Sequence, residues 1–143
     1  MSSVIVGVGN PLLGDDAIGL ECARQLEGKI DAEVKQAIAG GLELAEMVAD
    51  FNFALIIDAF HGNGLKEIEV DQYRETVPNH DITFPNACAI LSKYVNMPKV
   101  RILGIGINET NIREGLSEQM KKKLPSIITY ARQIFEAEHE HTC

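Results

Sequence analysis

The chain has 143 residues, 45% of them hydrophobic and 24% charged, with a formal net charge of -8 at pH 7. That length is the size of one domain, able to bury about two-thirds of its unfolded surface around a single core. The acidic balance disfavours a nucleic-acid or anionic-membrane partner, because phosphate binding needs clustered Lys and Arg, and no stretch approaches the roughly 20 apolar residues of a membrane span.

Val4 to Val8 is an apolar run closed by Gly9, Asn10 and Pro11. Without a basic segment and a long apolar stretch it does not read as a secretory signal; it reads as a first strand, and a cytoplasmic protein is expected. The turn GVGNPL has two glycines of the dinucleotide fingerprint, but Leu12 stands where the third would be, and no Gly-Lys-Ser or Gly-Lys-Thr follows. Asp15 and Asp16 come next. At the positive end of a helix dipole they stabilise the helix and repel a phosphate brought to the same place. One aspartate suffices as a cap, worth about 1 kcal/mol. Asp15 is therefore expected to cap the helix, leaving Asp16 to face solvent or a ligand.

Ile18, Cys22 and Leu26 recur on one helical face, and Leu44, Val48 and Phe51 do so after Gly40 and Gly41. Leu55 to Ile57 is a buried strand closing at Asp58. The turn-rich HGNG leads to Ile68–Tyr73, expected as an edge or antiparallel strand, and Val100 to Ile107 is a strand closing at Asn108. Strand and helix alternate, and near-continuous apolar strands mean a sheet covered on both faces. The expected fold is a single three-layer α/β domain over 1–143, with a twisted, mostly parallel sheet.

In the last third, Leu116, Met120, Leu124, Ile127, Ile128, Ala131, Ile134 and Phe135 keep helical spacing across Pro125, as one kinked helix or two short ones. Lys121 to Lys123 reads as a solvated helix face, and 136–143, with His139 and His141, as a frayed tail. Cys22, Cys88 and Cys143 are odd in number and far apart. That excludes a disulfide framework and a cysteine-built zinc site, and makes Cys22 and Cys88 small core residues.

In open parallel sheets ligands lie outside the carboxyl ends of the strands, and two strands deliver Asp16 and Asp58 there. Such a pair can share a divalent cation, act as acid and base, or simply cap separate turns. His61 and His80 are possible third ligands, since neutral imidazole suits zinc, nickel or iron.

The succession GVGNPLLGDDAIG, GGLELAEMV, LIIDAF and RILGIGI with a C-terminal helix resembles the hydrogenase maturation endopeptidases, over nearly the whole chain. These enzymes trim the C-terminus of the nickel-iron hydrogenase large subunit. The resemblance implies about five strands with helices on both sides, and a metal-contacting trio of two acids and a histidine. The acids fall on Asp16 and Asp58. For the histidine, His80 is preferred to His61, although register counted back from the helix around Ala87 puts Thr83 or Asn86 near the expected place. Gln36 stands where the resemblance leads us to expect an acid before the Gly40–Gly41 turn.

The implied reaction is one endoproteolytic cut in a large-subunit precursor after nickel insertion. Nickel carried by the substrate serves as the recognition element, and no tightly held cofactor is expected. The protein is expected to be a monomer that binds neither nucleic acid nor membrane. Gly-x-Ser-x-Gly, His-Glu-x-x-His and a Cys beside a His are all missing. Asp16 or Asp58 could serve as general base, or the substrate's metal could polarise the scissile carbonyl; an aspartic-protease dyad, with carboxylates about 3 Å apart, is not favoured. The rivals are a nickel-checking chaperone that does not cleave and a small nucleotide-binding α/β domain.

Overall fold

The structure is a computed structural model and describes residues 2–75, 82–108 and 111–140. Four strands run parallel: β1 (Ser3–Val8), β2 (Glu33–Ala37), β3 (Phe53–His61) and β5 (Lys99–Ile107). The short β4 (Leu65–Glu67) pairs antiparallel on the outer edge of β5, giving the order β2-β1-β3-β5-β4. β1, buried at every residue, lies inside the sheet, whereas β2, with Glu33 and Gln36 exposed, forms an edge. Polar side chains on an exposed edge oppose pairing with a second chain.

The helices are α1 (Ile18–Leu26), α2 (Gly41–Val48), α3 (Phe84–Leu91) and α4 (Glu118–Glu140). Alternation along the strands splits the core in two. Ile5, Leu55, Ile57 and Leu103 meet Ile18, Cys22 and Leu26 of α1 and Met120, Leu124, Ile127 and Phe135 of α4. Val4, Val6, Ile56 and Ile102 meet Leu44 and Val48 of α2, Phe84 and Ala87 of α3, and Tyr73. Each such aliphatic side chain contributes about 1.5–3 kcal/mol on burial. This is the expected three-layer architecture.

Three expectations change. The antiparallel edge strand is present but earlier, at 65–67. Ile68–Tyr73 instead holds a 3-10 turn over Val70–Gln72, because the edge ends once the Ile68 N–H has bonded the Ile102 carbonyl. The strand bearing Asp58 runs on to His61, since β5 pairs with it four residues further than β1 does. Of the two arrangements expected around Pro125, the single helix is the one formed, and Lys121 to Lys123 on its solvent side are exposed as expected. The carbonyl that Pro125 leaves without a donor is therefore next to water.

The expected fray is also absent through residue 140. Glu138 is only 8% exposed, with Lys99 at 2.7 Å and Arg101 at 3.5 Å. The His139 ring stacks on Phe135, meets Phe53 edge-on, and places Nε2 2.8 Å from the Ser3 hydroxyl. Two ion pairs and an aromatic contact hold this last turn on the sheet. His141 lies outside the described residues.

Candidate functional site

β1 connects to β2 on one side of the sheet, and β3 lies on the other, so the strand order reverses between β1 and β3. A crevice opens at such a switch point, outside the carboxyl ends of the strands. β1 pairs with β3 only as far as Gly7 opposite Ile57. Asp58 is therefore the first residue of β3 beyond that pairing, on the face that carries Ile56.

Asp16 comes from the other wall. It lies in a 3-10 turn, Gly14–Ala17, that leads into α1 and packs against β3. Glycines permit this close approach: a Cβ on Gly9 would stand 2.4 Å from the Asp16 carbonyl oxygen, and one on Gly19 would stand 2.4 Å from the carbonyls of both Val8 and Ile57. Any side chain there would lift α1 from the sheet and carry Asp16 away from Asp58.

Both acids are buried, Asp16 at 1% and Asp58 at 0% exposure. Asp16 Oδ2 accepts the Asn10 backbone N–H at 3.0 Å, and its Oδ1 makes no hydrogen bond among the described residues. Asp58 Oδ1 accepts the Ala59 N–H and Oδ2 accepts the Tyr73 hydroxyl, each at 2.8 Å. Burial, with Asp58, Glu75 and Asp16 around it, holds the Tyr73 phenol well above its ordinary range, so it stays a proton donor. Three carboxylates thus surround one buried phenol. Two buried carboxylates at a crevice suit a cation or a proton-transfer role, because burial of such charge is tolerated where a positive partner or a proton arrives.

The glycine turn cannot cradle a phosphate. Its backbone N–H groups are already spent: Gly9 on the Ala37 carbonyl, Asn10 on Asp16, Leu12 and Leu13 on Asn10, and Gly14 on the Arg113 carbonyl, while Pro11 has none. The nucleotide-binding alternative loses its site, since such a cradle works through free N–H donors.

Asp15 does not cap the helix that follows it. Its two oxygens accept the backbone N–H and the hydroxyl of Ser117, both at 2.8 Å, and the Ser117 hydroxyl in turn accepts the Met120 N–H in the first turn of α4. Neither the 3-10 turn nor α1 has a side-chain cap. The Ile18 N–H that opens α1 is taken by the Asp15 backbone carbonyl, and the Asp15 carboxylate reaches α4 instead.

His61 is exposed and on the opposite face of β3 from Asp58, three residues along a strand whose side chains alternate. His80 lies outside the described residues. Thr83 caps α3, accepting the Asn86 N–H at 3.4 Å, and Asn86 is exposed. Among the described residues no group of three His, Cys, Asp or Glu side chains is arranged to hold a metal ion. Gln36 is exposed and donates to the Leu20 carbonyl at 3.0 Å. The carboxylate at the Gly40–Gly41 turn is Glu75, whose Oε1 accepts the N–H of Gly41 at 2.9 Å and of Phe84 at 3.0 Å. Glu75 thereby ties the N-termini of α2 and α3 to one point, and both helix dipoles favour its charge. Cys22 and Cys88, pushed up by burial to about 12 and about 11, stay thiols and offer no nucleophile.

Sequence reasoning missed Tyr73 and Glu75, two places apart in DQYRET with no recognisable motif; only the chain reversal after β4 brings them over the site. The rim is apolar. Leu12, Ile38 and Ile112 on loops and Leu42 in the first turn of α2 are 45–90% exposed around the carboxyl edge. A groove of about 600 Å³ opens beside Pro11 and Ala17 and runs between α1 and α4, without touching either acid.

No family model and no curated protein matches the sequence. Solved structures do match in fold. The hydrogenase maturating endopeptidase HybD from E. coli superposes with a TM-score of 0.72 at 21% identity, covering 99% of this chain and 94% of that one. An endopeptidase from Escherichia coli studied in solution gives 0.71 at 20%, with the same coverage. A NiFe hydrogenase maturation protease HycI from Thermococcus kodakarensis gives 0.68 at 19%, covering 94% and 92%. The fold is the one adopted by these three peptidases, over nearly the full length of both partners.

Proposed function

We propose that this protein is an endopeptidase that removes the C-terminal extension of a nickel-iron hydrogenase large-subunit precursor. The observation that carries the reading is the buried Asp16 and Asp58 pair at the switch point of this particular fold. Nickel enters as part of the substrate. Asp16 and Asp58 meet it with carboxylate oxygens, and His80 is the candidate third group. The precursor is positioned only when its metal is in place, because buried carboxylates are stabilised by a cation and repel the thiolates of a precursor without one. Water is activated either by one of the two aspartates as general base or by polarisation of the scissile carbonyl on the substrate's metal.

A macromolecular substrate accords with the exposed apolar side chains around the crevice, which a small-molecule enzyme would bury. The working site is that of a single chain in the cytoplasm. The test is to incubate nickel-loaded precursor with the protein and follow its intact mass. Loss of a C-terminal peptide is expected, and only with metallated precursor. A stable complex of unchanged mass would overturn cleavage and leave the chaperone reading in its place.

A further inference from the structure

We propose that Tyr73 is a positioning residue for Asp58: its hydroxyl, seated in the core, fixes the orientation in which that carboxylate faces the crevice. The inference deepens the protease reading and rests on it. Asp58 pairs with Gly104 of β5 but lies beyond the pairing with β1, and strand pairing does not by itself constrain its side-chain rotation. Two donors do, one on each oxygen: the Ala59 N–H on Oδ1 and the Tyr73 hydroxyl on Oδ2, both at 2.8 Å. With each oxygen directed to a fixed donor, the carboxylate plane is set.

Tyr73 is itself held rigidly. It is 1% exposed, packs edge-on against Phe84 with ring centroids 5.9 Å apart, and its carbonyl accepts the Arg74 guanidinium at 2.8 Å. Two residues on, Glu75 fastens the same segment to the first turns of α2 and α3. The orientation of Asp58 is thereby referred to two helices on one face of the sheet. A buried phenol used only for packing would need no acceptor on an acid of the site; here its one donor is spent on that acid.

The experiment compares wild type, Tyr73→Phe and Phe84→Leu in cleavage of nickel-loaded precursor, at a temperature where circular dichroism shows all three folded. Phe84→Leu loosens the same aromatic contact without touching Asp58. Tyr73→Phe is expected to lower kcat by about tenfold or more with KM within about twofold, the signature of a misoriented reacting group. Phe84→Leu is expected to lose comparable thermal stability with kcat nearly unchanged. Para-aminophenylalanine at position 73, which keeps a donor on the ring, is expected to recover most of kcat. Should Tyr73→Phe prove unfolded, para-methylphenylalanine fills the same volume without a donor and is read identically. Equal kcat in the wild type and the donor-less variant, or equal kcat losses in it and Phe84→Leu, would overturn the positioning role alone. A wild-type protein that leaves the precursor intact would overturn the protease reading and this role with it.

Discussion

Asp15 and Asp16 are neighbours in the chain with different partners in the fold. Asp15 is structural: Asp15→Ala removes two hydrogen bonds to Ser117 and is expected to cost about 1–3 kcal/mol, read as a lower urea midpoint, with processing by the folded fraction retained. Asp16→Asn, by contrast, keeps an acceptor for the Asn10 N–H and should fold normally, yet is expected to abolish processing; precursor mass and a thermal melt together check both halves. The pair was legible in the sequence as unusual. Which aspartate did what was half legible: Asp16 was separable by its register in the motif, whereas the partner of Asp15 is 102 residues away and no local rule reaches it.

At the scale of the element, α1 is set against the sheet by glycine contacts. Gly19→Ala would push a Cβ to 2.4 Å from two strand carbonyls. Overpacking of this kind costs about 1–3 kcal/mol, and here it should also separate Asp16 from Asp58, so both melting temperature and cleavage rate are expected to fall. The helices were readable because Ile18, Cys22 and Leu26, or Leu44 and Val48, repeat with the helical period, and all are buried. The end of β3 was not, because where a strand stops depends on its neighbours' lengths. Nor was the last turn of α4: a polar run such as EAEHEH looks solvated until Lys99 and Arg101 are brought opposite Glu138.

That ion-pair cluster gives the whole molecule a pH dependence. Lys99 above all, with Arg101, holds the Glu138 carboxyl below its ordinary value of 4.5. A lowered folded value means the contribution is present above the unfolded value and is lost as pH falls through the folded one. Glu138→Gln should therefore lower the melting temperature at pH 7, and the gap to wild type should close as pH drops below about 4.5. On the opposite end of the sheet, Ile112→Asp is expected to raise KM for the precursor with kcat and melting temperature unchanged, since Ile112 is 90% exposed beside the crevice and touches neither acid.

Local information determined the elements, their alternation and the sheet class, because hydrophobic period and turn chemistry act over a few residues. It also supplied Asp16 and Asp58 as candidates, since an acid placed soon after an apolar run is a local pattern. Only the tertiary structure decided that the glycine turn has no donors left for phosphate, that Asp15 holds α4, and that Tyr73 and Glu75 close over the site. Each of these depends on a hydrogen-bond partner from a distant part of the chain, and such a partner is chosen by packing and leaves no period in the sequence.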